Sequence, residues 1–139
     1  MKKIYIPLML IMLAVSAHAQ TSSVQRMTAT IPFEFSVGKT TLPAGKYTIT
    51  VLNPTSDRKP LQIRSVNGRS SAIVLTMTSK ADLSDNAKLV FERYGDQYVF
   101  AQAQLAGDAT TLAAVRTKQH IDKQIAKAGK KSLVVIAAE

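Results

Sequence analysis

The chain has 139 residues, with 18 Lys and Arg against 9 Asp and Glu, two histidines and no cysteine, for a formal net charge of +9. The absence of cysteine excludes disulfides, thiol catalysis, thiolate-held zinc or iron–sulfur centres, and a lipid anchor on a cysteine after a cleavage site. The cation excess favours contact with anionic surfaces and equally serves plain solubility.

Lys2 and Lys3 precede an apolar run, Ile4 to Val15, interrupted only by Pro7. Ala17-His18-Ala19 then sets small residues at the −3 and −1 positions of a cleavage site before Gln20. This pattern reads as a secretory signal peptide over residues 1–19. The run is too short for a membrane span, which takes about 20 apolar residues. The expected location is therefore the periplasm or the medium. Cleavage after Ala19 leaves 120 residues and a charge of +7, since Lys2 and Lys3 are lost. That length suits one domain with its own core, and no transmembrane segment is expected in the mature chain.

Residues 20–28 are polar and without period, and read as a flexible leader. Order is expected from residue 29 to 139. Ile31, Phe33, Phe35 and Val37 alternate with Pro32, Glu34 and Ser36, the period of a half-buried strand. Pro32 has no N–H for a ladder and places that strand at an edge. After the turn residues Leu42-Pro43-Ala44-Gly45, Tyr47, Ile49 and Val51 alternate again, and the two strands are expected to pair as a hairpin. Leu61 to Ser65 leads into Asn67-Gly68, the strongest short hairpin signal. A two-residue turn there sets Ile63 against Ala72 and Leu61 against Val74. The return strand, Ser71 to Met77, is apolar on both faces and reads as covered. Thr78 to Ala87 reads as a polar loop. Lys88 to Tyr94 and Gln97 to Leu105 form a third hairpin around Gly95-Asp96, with Phe91 opposite Phe100, Arg93 opposite Tyr98 and Val90 opposite Ala101. Such aromatic and cation–π neighbours each add a fraction of a kcal/mol to about 1 kcal/mol.

From about 114 to 128 the period becomes helical. Ala114, Ile121, Ile125 and Ala128 form one stripe, Arg116, His120, Lys123 and Lys127 the opposite face, and Gly129 the stop. Leu133 to Ala138 closes the chain as an apolar strand expected in a buried position. The expected fold is mainly β: a small antiparallel sandwich or barrel of about six or seven strands, with one C-terminal amphipathic helix and a closing strand.

Ile31-Pro32-Phe33-Glu34-Phe35-Ser36-Val37-Gly38, then Leu42-Pro43-Ala44-Gly45-Lys46-Tyr47, and later Lys88-Leu89-Val90-Phe91-Glu92-Arg93-Tyr94-Gly95-Asp96-Gln97-Tyr98, together resemble the signature of a family of small exported bacterial proteins. The likeness runs from about residue 29 to 105. It implies a secreted, β-rich domain, and the family has no assigned activity from which a catalytic residue could be carried over.

His120 is the one imidazole left after cleavage, and its helical neighbours are cations, which oppose protonation of the ring. The few carboxylates fall mostly in turns or on outward faces rather than as a pair flanking a cleft. Asp82 and Asp85 share a loop, where solvated acids are the simpler reading than a calcium site. No phosphate-binding glycine motif is present. No catalytic residue, cofactor or metal is therefore expected. The candidate partner contacts are Arg93, Tyr94, Asp96 and Tyr98 at the third hairpin's tip, and Arg116, His120, Lys123 and Lys127 on the basic helix face. For the tip, the alternative is a hairpin that stacks its own side chains. The expected function is that of a non-enzymatic exported domain with a binding or structural role in the cell envelope or medium. Its partner would be an envelope protein, a glycan or an anionic surface. Nucleic acid is not expected, because the aromatics alternate inward. The alternative is a carrier of a small apolar ligand in a barrel cavity.

Overall fold

The computed structural model describes residues 25–116 and 131–139. Ten strands follow along the chain: β1 (Arg26–Ile31), β2 (Phe35–Val37), β3 (Thr40–Leu42), β4 (Gly45–Val51), β5 (Arg58–Ser65), β6 (Ser71–Ser84), β7 (Ala87–Tyr94), β8 (Gln97–Gln104), β9 (Asp108–Ala114) and β10 (Lys131–Ala138). All ten belong to one mixed sheet, so the protein is mainly β, and no helix occurs among the described residues.

β1, β4, β5, β6, β9 and β8 lie side by side in that order, each antiparallel to the next. β8 also pairs with β7 along its length, and touches β2 through one parallel bridge, Ser36 to Val99. β10 runs antiparallel to β7 from Lys131 opposite Tyr94 to Ala138 opposite Ala87. Beyond these ladders, the N–H of Thr28 donates to the C=O of Glu139 at 2.8 Å and the N–H of Glu139 to the C=O of Thr28 at 2.9 Å. The end of β10 therefore lies beside β1.

Period-two alternation sends one side of every long strand to a single apolar cluster. Met27, Ala29 and Ile31 of β1, Tyr47, Ile49 and Val51 of β4, and Leu61 and Ile63 of β5 meet Leu89 and Phe91 of β7 and Phe100 and Ala103 of β8 there. Phe91 sits at the centre of the rings. Its centroid lies 5.1 Å from Phe33, 5.3 Å from Phe35 and 5.9 Å from Phe100, each in an edge-on arrangement. Tyr47 is buried in the same cluster, and its hydroxyl donates to the Pro43 carbonyl at 2.5 Å. Thr76, also fully buried, donates its hydroxyl to the Lys59 carbonyl at 2.6 Å. The polar atoms of both side chains are thus satisfied as burial requires.

The local pairings follow the turn signals. Ile63 stands opposite Ala72, Leu61 opposite Val74, Phe91 opposite Phe100 and Arg93 opposite Tyr98. The turn at Asn67-Gly68 departs from the doubly positive form. Only Gly68 has a positive φ, +76°, and Asn67 instead uses its Oδ1 to accept from the Ser65 hydroxyl and the Arg69 N–H. In the third hairpin a bulge at Ala101 shifts the register, so that Val90 faces Gln102.

Other expectations are corrected. Strand structure begins at Arg26, inside the segment read as leader, because Met27 is a buried core residue. Ile31 to Val37 is two strands rather than one. Pro32 ends β1, and the chain resumes as β2, which hairpins onto β3 around Gly38 at φ +59°. The hairpin partner of β4 is accordingly β1, with Met27 opposite Ile49 and Ala29 opposite Tyr47. Residues 78–84, read as loop, continue β6 to Ser84 and pair with β9.

The residue set expected to open a helix at 114 is strand. Ala114 ends β9 opposite Thr76, and the Val115 N–H donates to the Leu75 carbonyl at 2.9 Å. Thr110, Thr111 and Leu112 already lie within β9, with Leu112 in the core. The remainder of the expected helix, 117–128, lies outside the described residues. Two strands are also less covered than expected. Ile73 of β6 is 63 % exposed and Leu133 of β10 is 64 % exposed, because each strand turns only alternate residues to the core.

Candidate functional site

The β7–β8 hairpin brings four of the candidate residues together around Gly95, whose φ of +60° makes the tight turn. Arg93 and Tyr98 are cross-strand partners, and the guanidinium carbon lies 5.6 Å from the ring centroid. Tyr98 is also stacked on Phe33, with centroids 3.8 Å apart and 14° between planes. The phenol ring thus has a cation and an aromatic ring of its own chain as neighbours. Arg93 also donates from Nε to the Gly95 carbonyl at 2.8 Å. Tyr94 is buried, while Asp96 is exposed at the tip.

Tyr94 leads to the principal charged cluster of the described residues. Its hydroxyl donates to Glu92 Oε2 at 2.6 Å. Arg116 donates from Nη1 to the same carboxylate oxygen and from Nη2 to the Phe100 carbonyl at 2.7 Å. Lys131 Nζ stands 3.6 Å from Glu92 Oε1. The pair is well shielded, with side-chain exposures of 13 % for Arg116 and 16 % for Glu92. Burial pushes the Glu92 carboxyl up, but the hydrogen bonds from Tyr94 and Arg116 and the charges of Arg116 and Lys131 outweigh it, and its pKa lies below the ordinary glutamate value. Burial, reinforced by Glu92, pushes the Tyr94 phenol up.

These directions matter chemically. A general acid or base acts best with a pKa near the working pH, which for glutamate means a raised value. Glu92 is moved the other way and has both oxygens engaged. Its position explains the arrangement. Arg116 follows the end of β9, Lys131 starts β10, and Glu92 and Tyr94 lie on β7, so one carboxylate ties three chain segments together.

Gln104 plays a similar part at the other end. Fully buried on β8, it donates from Nε2 to the Asp82 and Asp108 carbonyls, both at 2.8 Å. Asp108 in turn caps the start of β9 by accepting from the Thr110 N–H and hydroxyl. Among the described residues no group of three or more His, Cys, Asp or Glu is arranged to hold a metal ion. Nor is any helix among them long and apolar enough to cross a membrane.

The structure therefore unites Arg93, Tyr94, Asp96 and Tyr98, and moves Arg116 from a solvated helix face into the Glu92 cluster. The rest of that expected basic face, His120, Lys123 and Lys127, lies outside the described residues. Sequence reasoning missed Glu92 and Gln104. Glu92 sits one residue from the predicted Phe91 pairing, but its partner Arg116 is 24 residues away and carries no local signal. It also missed Arg26, assigned to the leader, which together with Arg64 lines an open polar concavity on the outward side of β1, β4 and β5. Compared with known protein families, curated proteins and solved structures, the chain matches none.

Proposed function

We propose that this protein is an exported, non-enzymatic β-domain that works by binding through its outer surface in the cell envelope or medium. The observation that carries this reading is the filled interior. Side chains of seven of the long strands, with Tyr47, Phe91 and Phe100 among them, and the rings of Phe33 and Phe35 fill or pack against the single apolar cluster, and the concavities beside Arg64, Lys46 and Arg116 open to solvent on the outside. We further infer that β1, β4, β5, β6, β9, β8, β7 and β10 form a closed ring, joined at Thr28 and Glu139. A barrel of eight strands has an interior just wide enough for side chains to fill, which fits the packed rings and opposes a ligand-carrying cavity. Export is supported by the signal-peptide pattern of residues 1–19, and the charge of +7 left after cleavage at Ala19 favours an anionic partner. The resemblance to small exported β-rich proteins agrees with this reading.

The test is thermal unfolding of the purified protein alone and against heparin, anionic lipid vesicles, cell-wall fragments, fatty acids and divalent metals. A ligand that binds only the folded form, present at about 100 times its Kd, adds about 2.7 kcal/mol, which raises Tm by several degrees in a domain of this size. A salt-sensitive rise with polyanions is expected. A rise with fatty acid would overturn the reading in favour of a carrier.

A further inference from the structure

The outward side of β1, β4 and β5 carries a polar concavity of about 400 Å³. Its geometry follows from strand register. Arg26 stands opposite Thr50 and Thr50 opposite Gln62, and one row along, Thr48 stands opposite Arg64. With strands about 4.8 Å apart and same-face residues about 6.8 Å apart, the two arginine Cα atoms lie about 12 Å apart, diagonally across β4. Thr48 and Thr50 occupy the ground between them. Two extended guanidinium groups can therefore reach either one anion above β4 or two anions spaced along a chain laid over it.

Three features mark this face as more than a solvated strand surface. First, no acidic residue lines it, and among the described residues neither arginine is in an ion pair. Lys46 adds a third cation one row further along β4, opposite Thr30, while the acids nearest the face, Glu139 and Asp108, line neighbouring concavities, Glu139 with Lys46 and both acids with Arg26. Secondly, Arg64 lies against the hairpin turn, where a Cβ placed on Gly68 would be in ordinary contact with its Nη2 at 3.4 Å. Asn67 holds that turn in place through its own hydrogen bonds. Thirdly, the floor is hydroxyl and amide, from Thr48, Thr50 and Gln62, rather than aromatic or apolar.

Guanidinium forks bind carboxylate and sulfate groups bidentately. Threonine hydroxyls and a glutamine amide offer both donors and acceptors, as sugar hydroxyls require. No aromatic ring lines the face, so nucleic-acid bases find no stacking platform. We propose that the Arg26–Arg64 face binds a linear acidic polysaccharide. Its carboxylate or sulfate groups sit on the two arginines and its hydroxyls on Thr48, Thr50 and Gln62. The shelf is open, so a polymer crosses it without threading an end into a pocket. This inference rests on the surface-binding reading above and names the site and ligand class for it. Val66 and Ile73, exposed at the rim, make an anionic membrane the competing partner, and vesicles are accordingly one arm of the test.

The experiment is calorimetric titration of the purified protein with polygalacturonate, heparin, neutral dextran and phosphatidylglycerol vesicles. The Arg26→Gln/Arg64→Gln double variant is compared with Lys39→Gln/Lys80→Gln, which removes the same charge from the β2–β3 turn and from β6. Binding to polygalacturonate or heparin, but not dextran, is expected. The arginine pair should weaken it about tenfold or more, and the lysine pair should leave it within about threefold of the parent. Unfolding midpoints of both variants should match the parent. Should the arginine pair unfold, Arg64→Lys, which keeps the charge and loses the fork, is expected to remain folded and still bind more weakly. Equal weakening by both pairs would reduce the effect to general charge and overturn the site. Tighter binding to vesicles than to either polysaccharide, lost in the same arginine variant, would overturn the ligand class. Absence of binding to all polyanions would end this inference alone, whereas a fatty-acid-induced rise in Tm would end the surface-binding reading beneath it.

Discussion

Replacing Phe91 with alanine asks directly whether the interior is full. Phe91 is 0 % exposed, and its ring meets the edges or faces of Phe33, Phe35 and Phe100 at centroid distances of 5.1, 5.3 and 5.9 Å. A buried Phe→Ala change costs about 3–5 kcal/mol from lost transfer energy and the residual cavity. Each well-oriented aromatic pair adds about 0.5–1.5 kcal/mol beyond area. Three such pairs place Phe91→Ala at the top of the range, about 4–5 kcal/mol, a large share of the roughly 5–15 kcal/mol that holds a domain. The expected fall in Tm is on the order of 15 °C. The cavity left behind, on the order of 100 Å³ and lined by apolar groups, should stay dry and admit a benzene-sized molecule. Urea unfolding of parent and variant, with Tm measured with and without benzene, reads both effects. Benzene should restore part of the variant's stability and leave the parent unchanged. A loss below about 1 kcal/mol at constant m, or a parent stabilised by benzene, would show room in the interior and refute the argument from packing.

Three further outcomes are expected. Glu92→Gln should cost about 2–3 kcal/mol at neutral pH, less than the 3–5 kcal/mol of a fully buried pair because Glu92 and Arg116 keep some exposure. The folded-state pKa of Glu92 is depressed, so its contribution is complete above the ordinary glutamate range and is lost as pH falls through the lower folded value. Urea curves of parent and variant should therefore converge in acid, and a gap that widens there would contradict the pairing. Thr76→Val keeps the shape but removes the hydroxyl's bond to the Lys59 carbonyl, and should cost about 0.5–1.5 kcal/mol in the same assay; a neutral result would mean that this bond adds nothing to the ladder. The Thr28 amide, bonded to Glu139, should be protected from hydrogen exchange, and deleting Glu139 should release it. Fast exchange of Thr28 in the intact protein would open the proposed ring at this seam.

What the sequence by itself determined is local. Alternation named the inward residues of β4, β5 and β7. Asn67-Gly68 and Gly95-Asp96 placed two hairpins, and the pairs Ile63–Ala72, Leu61–Val74, Phe91–Phe100 and Arg93–Tyr98 followed from counting outward from those turns. A turn of few residues leaves a strand little choice of register, because a one-residue slip would send its apolar set to solvent. The tertiary structure decided what no turn constrains. It drew Arg26–Thr28 out of an apparently featureless leader by offering them an edge of β4, and it ended β1 at Pro32, where the ladder lacks a donor. It made a strand of the residues up to Ala114, since Leu112 and Ala114 could complete β6 and the core together. It set β10 beside β7, 37 or more residues away in sequence, and assembled Glu92, Tyr94, Arg116 and Lys131 across that junction. The pairing of β1 and β5 on either side of β4 put Arg26 and Arg64 on one outward face. Contacts of this kind depend on how the whole sheet curls to cover one core, and neither propensity nor spacing within a short window carries that information.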